Sequence, residues 1–163
     1  MILIAYDGSA DSRSAIEHAG ELLGGASATV LTVWEPFVDL MTRTTSGFGM
    51  APEMVDVAAI DKANRESAEQ SAQEGSELAR KAGLDARPRT CSQETTVASA
   101  ILSQAEEVGA SAIVMGSRGL TGVKSLLLGS VSHAVIQHTD RTVIVVPSPD
   151  VAAARGRALH AEG

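Results

Sequence analysis

The chain reads as an α/β protein: an open, parallel five-stranded sheet with helices on both faces. Two observations predict this. Short runs of aliphatic and β-branched residues alternate with amphipathic helical stretches along the whole sequence, and those runs are apolar on both faces, as strands covered from two sides must be. A third observation sets the scale. The 163 residues are 44% hydrophobic and 20% charged, which suits one domain; a chain of this length buries about 70% of its unfolded surface without a metal or disulfide staple. Aromatic residues make up only 2%, so the core must be built from Val, Ile, Leu and Ala.

MILIAY, residues 1–6, is the first strand, stopped by the turn-forming DGS. Residues 10–23 place Ala15, Ile16, Ala19, Leu22 and Leu23 on one helical face, and Gly24 and Gly25 end that helix. ATVLTVW, 28–34, is the second strand. Periodicity then disappears from Glu35 to Val55, a loop length usually reserved for lids and binding segments. Its Phe37, Met41, Phe48, Met50 and Met54 can cover a ligand, meet a partner or pin the loop to the sheet. Residues 56–82 form the longest helix, closed by Gly83, with an acidic, solvated side. LDARPRTC, 84–91, is a strand whose Pro88 assigns it to an edge. Residues 95–108 turn Val97, Ile101, Ala105 and Val108 inward. SAIVMG, 111–116, is a fourth buried strand, SVSHAVIQH, 130–138, a helix, and TVIVVP, 142–147, a fifth strand. Residues 148–163 read as a frayed, flexible tail.

The chemistry concentrates in GSRGLTGVKSLLLGS, residues 116–130. Gly116 ends a buried strand, where a missing Cβ lets a ligand approach the backbone. Gly129 precedes the next helix, with Ser130 placed as its N-cap. The amides of Ser130, Val131 and Ser132, with two hydroxyls, would face an anion at the positive end of the helix dipole. Such a site needs no basic surface. The net charge of −7 therefore permits phosphate binding while arguing against nucleic acid or an anionic membrane as partner.

IAYDGS, VMGSRG, the spacing Gly-x2-Gly-x9-Gly-Ser and TVIVVP together resemble the universal stress protein family, in its ATP-binding branch. The resemblance spans residues 1–147. It implies an adenine nucleotide alpha hydrolase-like fold with strand order 3-2-1-4-5, and a site where that order reverses. It further implies that Ala5, Asp7 and Val33 face adenine and ribose, and that Met115, Gly116, Arg118 and Gly119 line the ribose and the approach to the phosphates. Gly129, Ser130, Val131 and Ser132 would hold the phosphates of ATP, with or without Mg²⁺. Many relatives carry His where Thr32 stands here. Relatives pair through the last strand, so a homodimer through 142–147 is expected, and an exposed apolar edge invites such pairing. Asp7 has a competing role as a cap of the first helix, alongside Ser9 and Asp11.

Other motifs fall short. GLTGVKS lacks the Gly-Lys pair of a Walker loop because Val123 precedes Lys124. DGSADS resembles the S-G-G-x-D-S loop of ATP pyrophosphatases, but Asp7 replaces its first serine and a carboxylate there repels pyrophosphate. The histidines at 18, 133, 138 and 160 have no metal-type spacing, and Cys91 has no base beside it. The lone cysteine and the absence of a leader or spanning run fit a soluble, cytoplasmic protein. The expected function is a nucleotide-sensing regulatory module of the stress response, with no catalytic residue and at most slow hydrolysis. A hydrolase or phosphoryl-transfer enzyme and a nucleotide-independent dimeric interaction protein are the alternatives.

Overall fold

A computed structural model describes residues 1–39, 56–93, 95–120 and 128–161. Met41, Phe48, Met50, Met54 and Lys124, singled out above, lie outside them. Five strands form one parallel sheet: β1 (Ile2–Ala5), β2 (Ser27–Trp34), β3 (Asp85–Ser92), β4 (Ala112–Gly116) and β5 (Thr142–Val146). Their order is β3-β2-β1-β4-β5, so the chain reverses its winding between β1 and β4. Pro88 lies on an edge strand, where its missing N–H breaks no inner ladder.

Two apolar layers flank the sheet. On one face Ala15, Ile16 and Ala19 of α1 (Ala10–Leu23) and Ala79 of α2 (Val57–Lys81) pack on Ile2, Ile4, Val30 and Val114. On the other, Ala98, Ile101 and Ala105 of α3 (Val97–Glu107) and Val135 of α4 (Ser130–His138) pack on Leu3, Leu31, Ile113 and Met115. Odd and even positions of β1 and β2 thus divide between the faces, as the pleat requires. Tyr6 is buried against Gly75 of α2, where a Cβ would stand 2.8 Å from its ring. Its hydroxyl donates to Glu74 Oε1 at 3.0 Å. Burial, then the Glu74 carboxylate, push the phenol up to about 12.

Local signals explain the helix ends. Ser9 caps α1 by accepting from the Ser12 amide, Asp56 caps α2, and Thr96 with Ser99 makes a capping box on α3. Gly83 follows α2 at φ +91°, a left-handed conformation that glycine adopts freely.

Two expectations need correction. Leu22, assigned to the core face of α1, is 66% exposed, while Gly20 is buried. Leu23 in the same turn still packs on the core, so Leu22 stands on the flank of the buried face. Gly20 lies so close to Ala82 that a Cβ would sit 2.3 Å from its carbonyl oxygen. The expected frayed tail contains a fifth helix, α5 (Pro149–Ala161). Pro149 occupies its first position, where a missing N–H costs nothing, and alanines follow. Ser148 and Val151 are buried.

Candidate functional site

In open parallel sheets ligands bind beyond the strand C-termini where the winding reverses, here at the ends of β1 and β4. Ala5 and Met115 occupy those ends, and with Val33 on β2 they belong to the cluster on the α3–α4 side. These three residues, far apart in sequence, share one face at one edge of the sheet.

Asp7, just past β1, is exposed. Its Oδ1 accepts from the Ser9 amide at 3.0 Å and its Oδ2 from the Leu120 amide at 3.2 Å. It tethers the loop after β4 to the loop after β1, while Ser9 caps α1. Gly119 makes this approach feasible, because a Cβ there would lie 2.7 Å from Asp7 Oδ2. A carboxylate has about four lone-pair sites, so two neighbours leave acceptor capacity for a hydroxyl or amine.

Gly116 has a different role from the expected one. A Cβ on it would stand 2.7 Å from Asp11 Cβ and 2.9 Å from the Ser12 nitrogen, so the space is filled by α1 rather than kept for a ligand. Asp11 organises the strand end. Its Oδ2 accepts from Ser117 Oγ at 2.7 Å and from the Arg118 amide at 3.1 Å. Burial raises the Asp11 carboxyl, but hydrogen bonds from Ser117 and Ser148 and the charge of Arg118 outweigh it and hold the group below the usual aspartate value. The Arg118 guanidinium lies back toward this carboxylate, with Nε 3.8 Å from Oδ2 and its side chain 16% exposed.

The helix start also differs in detail. Gly129, not Ser130, is the N-cap of α4, with φ −71° and no side-chain cap. Ser130 is the first helical residue and is exposed. Ser132 is buried, and its hydroxyl lies 3.0 Å from the carbonyls of both Ser117 and Gly129. Because a buried hydroxyl must find an acceptor, it ties α4 to the end of β4 instead of turning outward to an anion. The main-chain amides of the first turn have no intrahelical acceptor and stay available to an outside one. Thr32 is buried and donates to the Tyr6 carbonyl at 2.9 Å.

Among the described residues no group of three or more His, Cys, Asp or Glu side chains is placed to hold a metal ion, and no helix is long and apolar enough to cross a membrane. His18, His133 and His138 are exposed on helices, and Cys91 is half-buried against the apolar cluster on the α3 side of the sheet.

A family model, described as the universal stress protein family, matches residues 1–147. The chain belongs to the universal stress protein family. It is 34% identical over 152 residues to the universal stress protein YxiE of Bacillus subtilis, covering 89% of this chain and 97% of that one. Among solved structures it resembles the hypothetical protein MJ0577 of Methanocaldococcus jannaschii, with a TM-score of 0.71 at 22% identity over 90% of this chain and 94% of that one. It also resembles an Archaeoglobus fulgidus universal stress protein in complex with dAMP, with a TM-score of 0.55 at 21% identity over 89% and 95% of the two chains. These likenesses match the observed strand order.

Asp11, Ser117 and Ser148 escaped the sequence reading. Ser117 stands inside GSRG and Asp11 looked like one of three competing caps, but their meeting across 106 positions is a product of the fold.

Proposed function

We propose that this universal stress protein is an ATP-binding regulatory module, with the base on Ala5, Val33 and Met115 and the phosphates at the start of α4. The observation that carries this reading is the uncapped first turn of α4, held beside the strand reversal by the Ser132 hydroxyl. The amides of Ser130, Val131 and Ser132 supply the donors and the helix dipole supplies the positive end. Asp7 accepts from the ribose, and Gly116, Arg118 and Gly119 form the wall between sugar and phosphates. The dAMP complex of the Archaeoglobus relative supports an adenine nucleotide in this fold. Mg²⁺, where present, would travel with the triphosphate. The sequence has no Walker Gly-Lys pair, and no base positioned for water stands among the described residues, which favours sensing over turnover, with hydrolysis at most slow.

Gly129 offers a discriminating test. Its φ of −71° suits any residue, and a Cβ would meet nothing nearer than 3.4 Å. Aspartate is itself a favourable N-cap, so Gly129→Asp should fold with unchanged or raised Tm. The same carboxylate would repel phosphate, and ATP binding by calorimetry should weaken at least tenfold. Equal affinity in the two proteins, or no binding by the wild type, would sink the nucleotide reading. Turnover of Mg-ATP near 1 s⁻¹, roughly the low end of enzyme rates, would favour the hydrolase alternative.

The proposal includes a homodimer through β5. Val143, Ile144 and Val145 on this edge strand are only half-buried, which leaves an apolar edge for a second copy.

A further inference from the structure

Gln93 follows the last residue of β3, and its amide donates to the Trp34 carbonyl at 2.8 Å, one step beyond the Trp34–Ser92 pair. Arg89 bonds Gln104 and Glu107 of α3, and Cys91 packs on the apolar cluster that Ala98 and Ile101 of α3 help form, so alternation carries the Gln93 side chain to that same face. Ala5, Val33 and Met115 share it. Val33 pairs with Cys91, which places Gln93 one strand outward and two residues further toward the C-terminal edge. The Cα separation from Val33 is then about 8 Å, a distance that a purine lying on Val33 can bridge.

The side chain is 2% exposed, and its Nε2 donates to Glu35 Oε1 at 2.9 Å. That bond fixes the amide orientation, because the reverse setting would oppose two acceptors. The Gln93 Oε1 is therefore turned away from Glu35, and it is buried with no hydrogen-bond partner. A buried carbonyl without a donor is costly to leave unmade, and such an atom at a ligand-binding edge calls for a donor from outside the chain.

We propose that Gln93 is a specificity-determining residue for the nucleobase, its Oε1 accepting an N–H from the exocyclic amine of adenine. The assignment rests on the adenine-nucleotide reading and adds to it the atom that reads the base. The chemistry is one-sided. The Gln93 amide has committed its nitrogen to Glu35, so what remains for a base is an acceptor, beside a carboxylate that is also an acceptor. A 6-amino purine offers the matching donor. A 6-oxo purine presents a carbonyl oxygen to an oxygen and leaves both unsatisfied.

ATP and ITP differ at this position, amine against carbonyl, and calorimetry with both tests the assignment. The wild type should bind ATP at least tenfold more tightly than ITP. Gln93→Met, similar in volume but without the acceptor, should bind ATP about tenfold more weakly and ITP unchanged, so that the ratio collapses. A merely structural role for Gln93 would weaken both nucleotides together and keep the ratio. Wild-type protein that takes ITP as tightly as ATP overturns the assignment without recourse to any variant. Retention of the ATP preference in Gln93→Met overturns it as well, while the nucleotide reading stands. Wild-type protein that binds neither nucleotide overturns both.

Discussion

Asp11 is a carboxylate held inside the protein by hydroxyl and amide donors from two separate segments: Ser117 and Arg118 just past β4, and Ser148 just past β5. It also stands in the first turn of α1, where a negative charge suits the dipole. Replacing it with asparagine leaves a buried cluster of donors facing a weaker acceptor, and should cost about 1–3 kcal/mol in urea unfolding. The pH dependence has a definite sign. The folded-state pKa lies below the ordinary value, so the stability Asp11 contributes is fully present above about pH 4. It is lost as pH falls from there through the depressed folded value. Wild-type protein should therefore lose stability on acidification below about pH 4 more steeply than Asp11→Asn; parallel pH profiles would contradict this account.

At the level of elements, glycine shows how packing overrides propensity. Glycine to alanine in a helix ordinarily stabilises by about 1 kcal/mol. Gly156 of α5 has nothing within 4 Å of an added Cβ, so Gly156→Ala should be neutral or stabilising. A Cβ on Gly20 would stand 2.3 Å from the Ala82 carbonyl oxygen, so Gly20→Ala should separate α1 from α2 and cost about 1–3 kcal/mol. Thermal unfolding of the two variants should move in opposite directions. The same contrast marks what was legible in the residues. Helix α1 was readable to its last residue from its apolar spacing and from the glycines that follow, and four strands were readable from their aliphatic runs, whereas β3, DARPRTCS, has none and offered Pro88 as its edge signal. Leu22 was misplaced because periodicity reports a face but not where its flank meets solvent. Helix α5 was missed because its alanine-rich sequence lacks the strong apolar spacing that marks the others.

Across the whole molecule, the strand order brings Asp7, Gly119 and the start of α4 to one place; the glycine spacing had already named Gly119 and the helix start, and the family resemblance had named Asp7. What spacing could not reveal was which neighbour fills each missing Cβ: α1 at Gly116, a carboxylate at Gly119 and nothing close at Gly129. Gln93 and its orphan oxygen carry no motif at all, since burial and partnership exist only once β2 and β3 lie side by side. At this scale the β5 edge predicts a two-fold dimer in sedimentation at micromolar concentration. Ile144→Lys or Val145→Lys should yield monomers with a native circular dichroism spectrum, and a monomeric wild type would exclude the pairing. The Ser148 contact with Asp11 also bears on where the folded unit stops. The family match closes at Pro147, yet the very next residue donates, through main chain and side chain, to a carboxylate in the first helix. A chain trimmed to the family's span would open the buried shell of its own first helix, so homology and mechanical integrity draw the terminus at different residues.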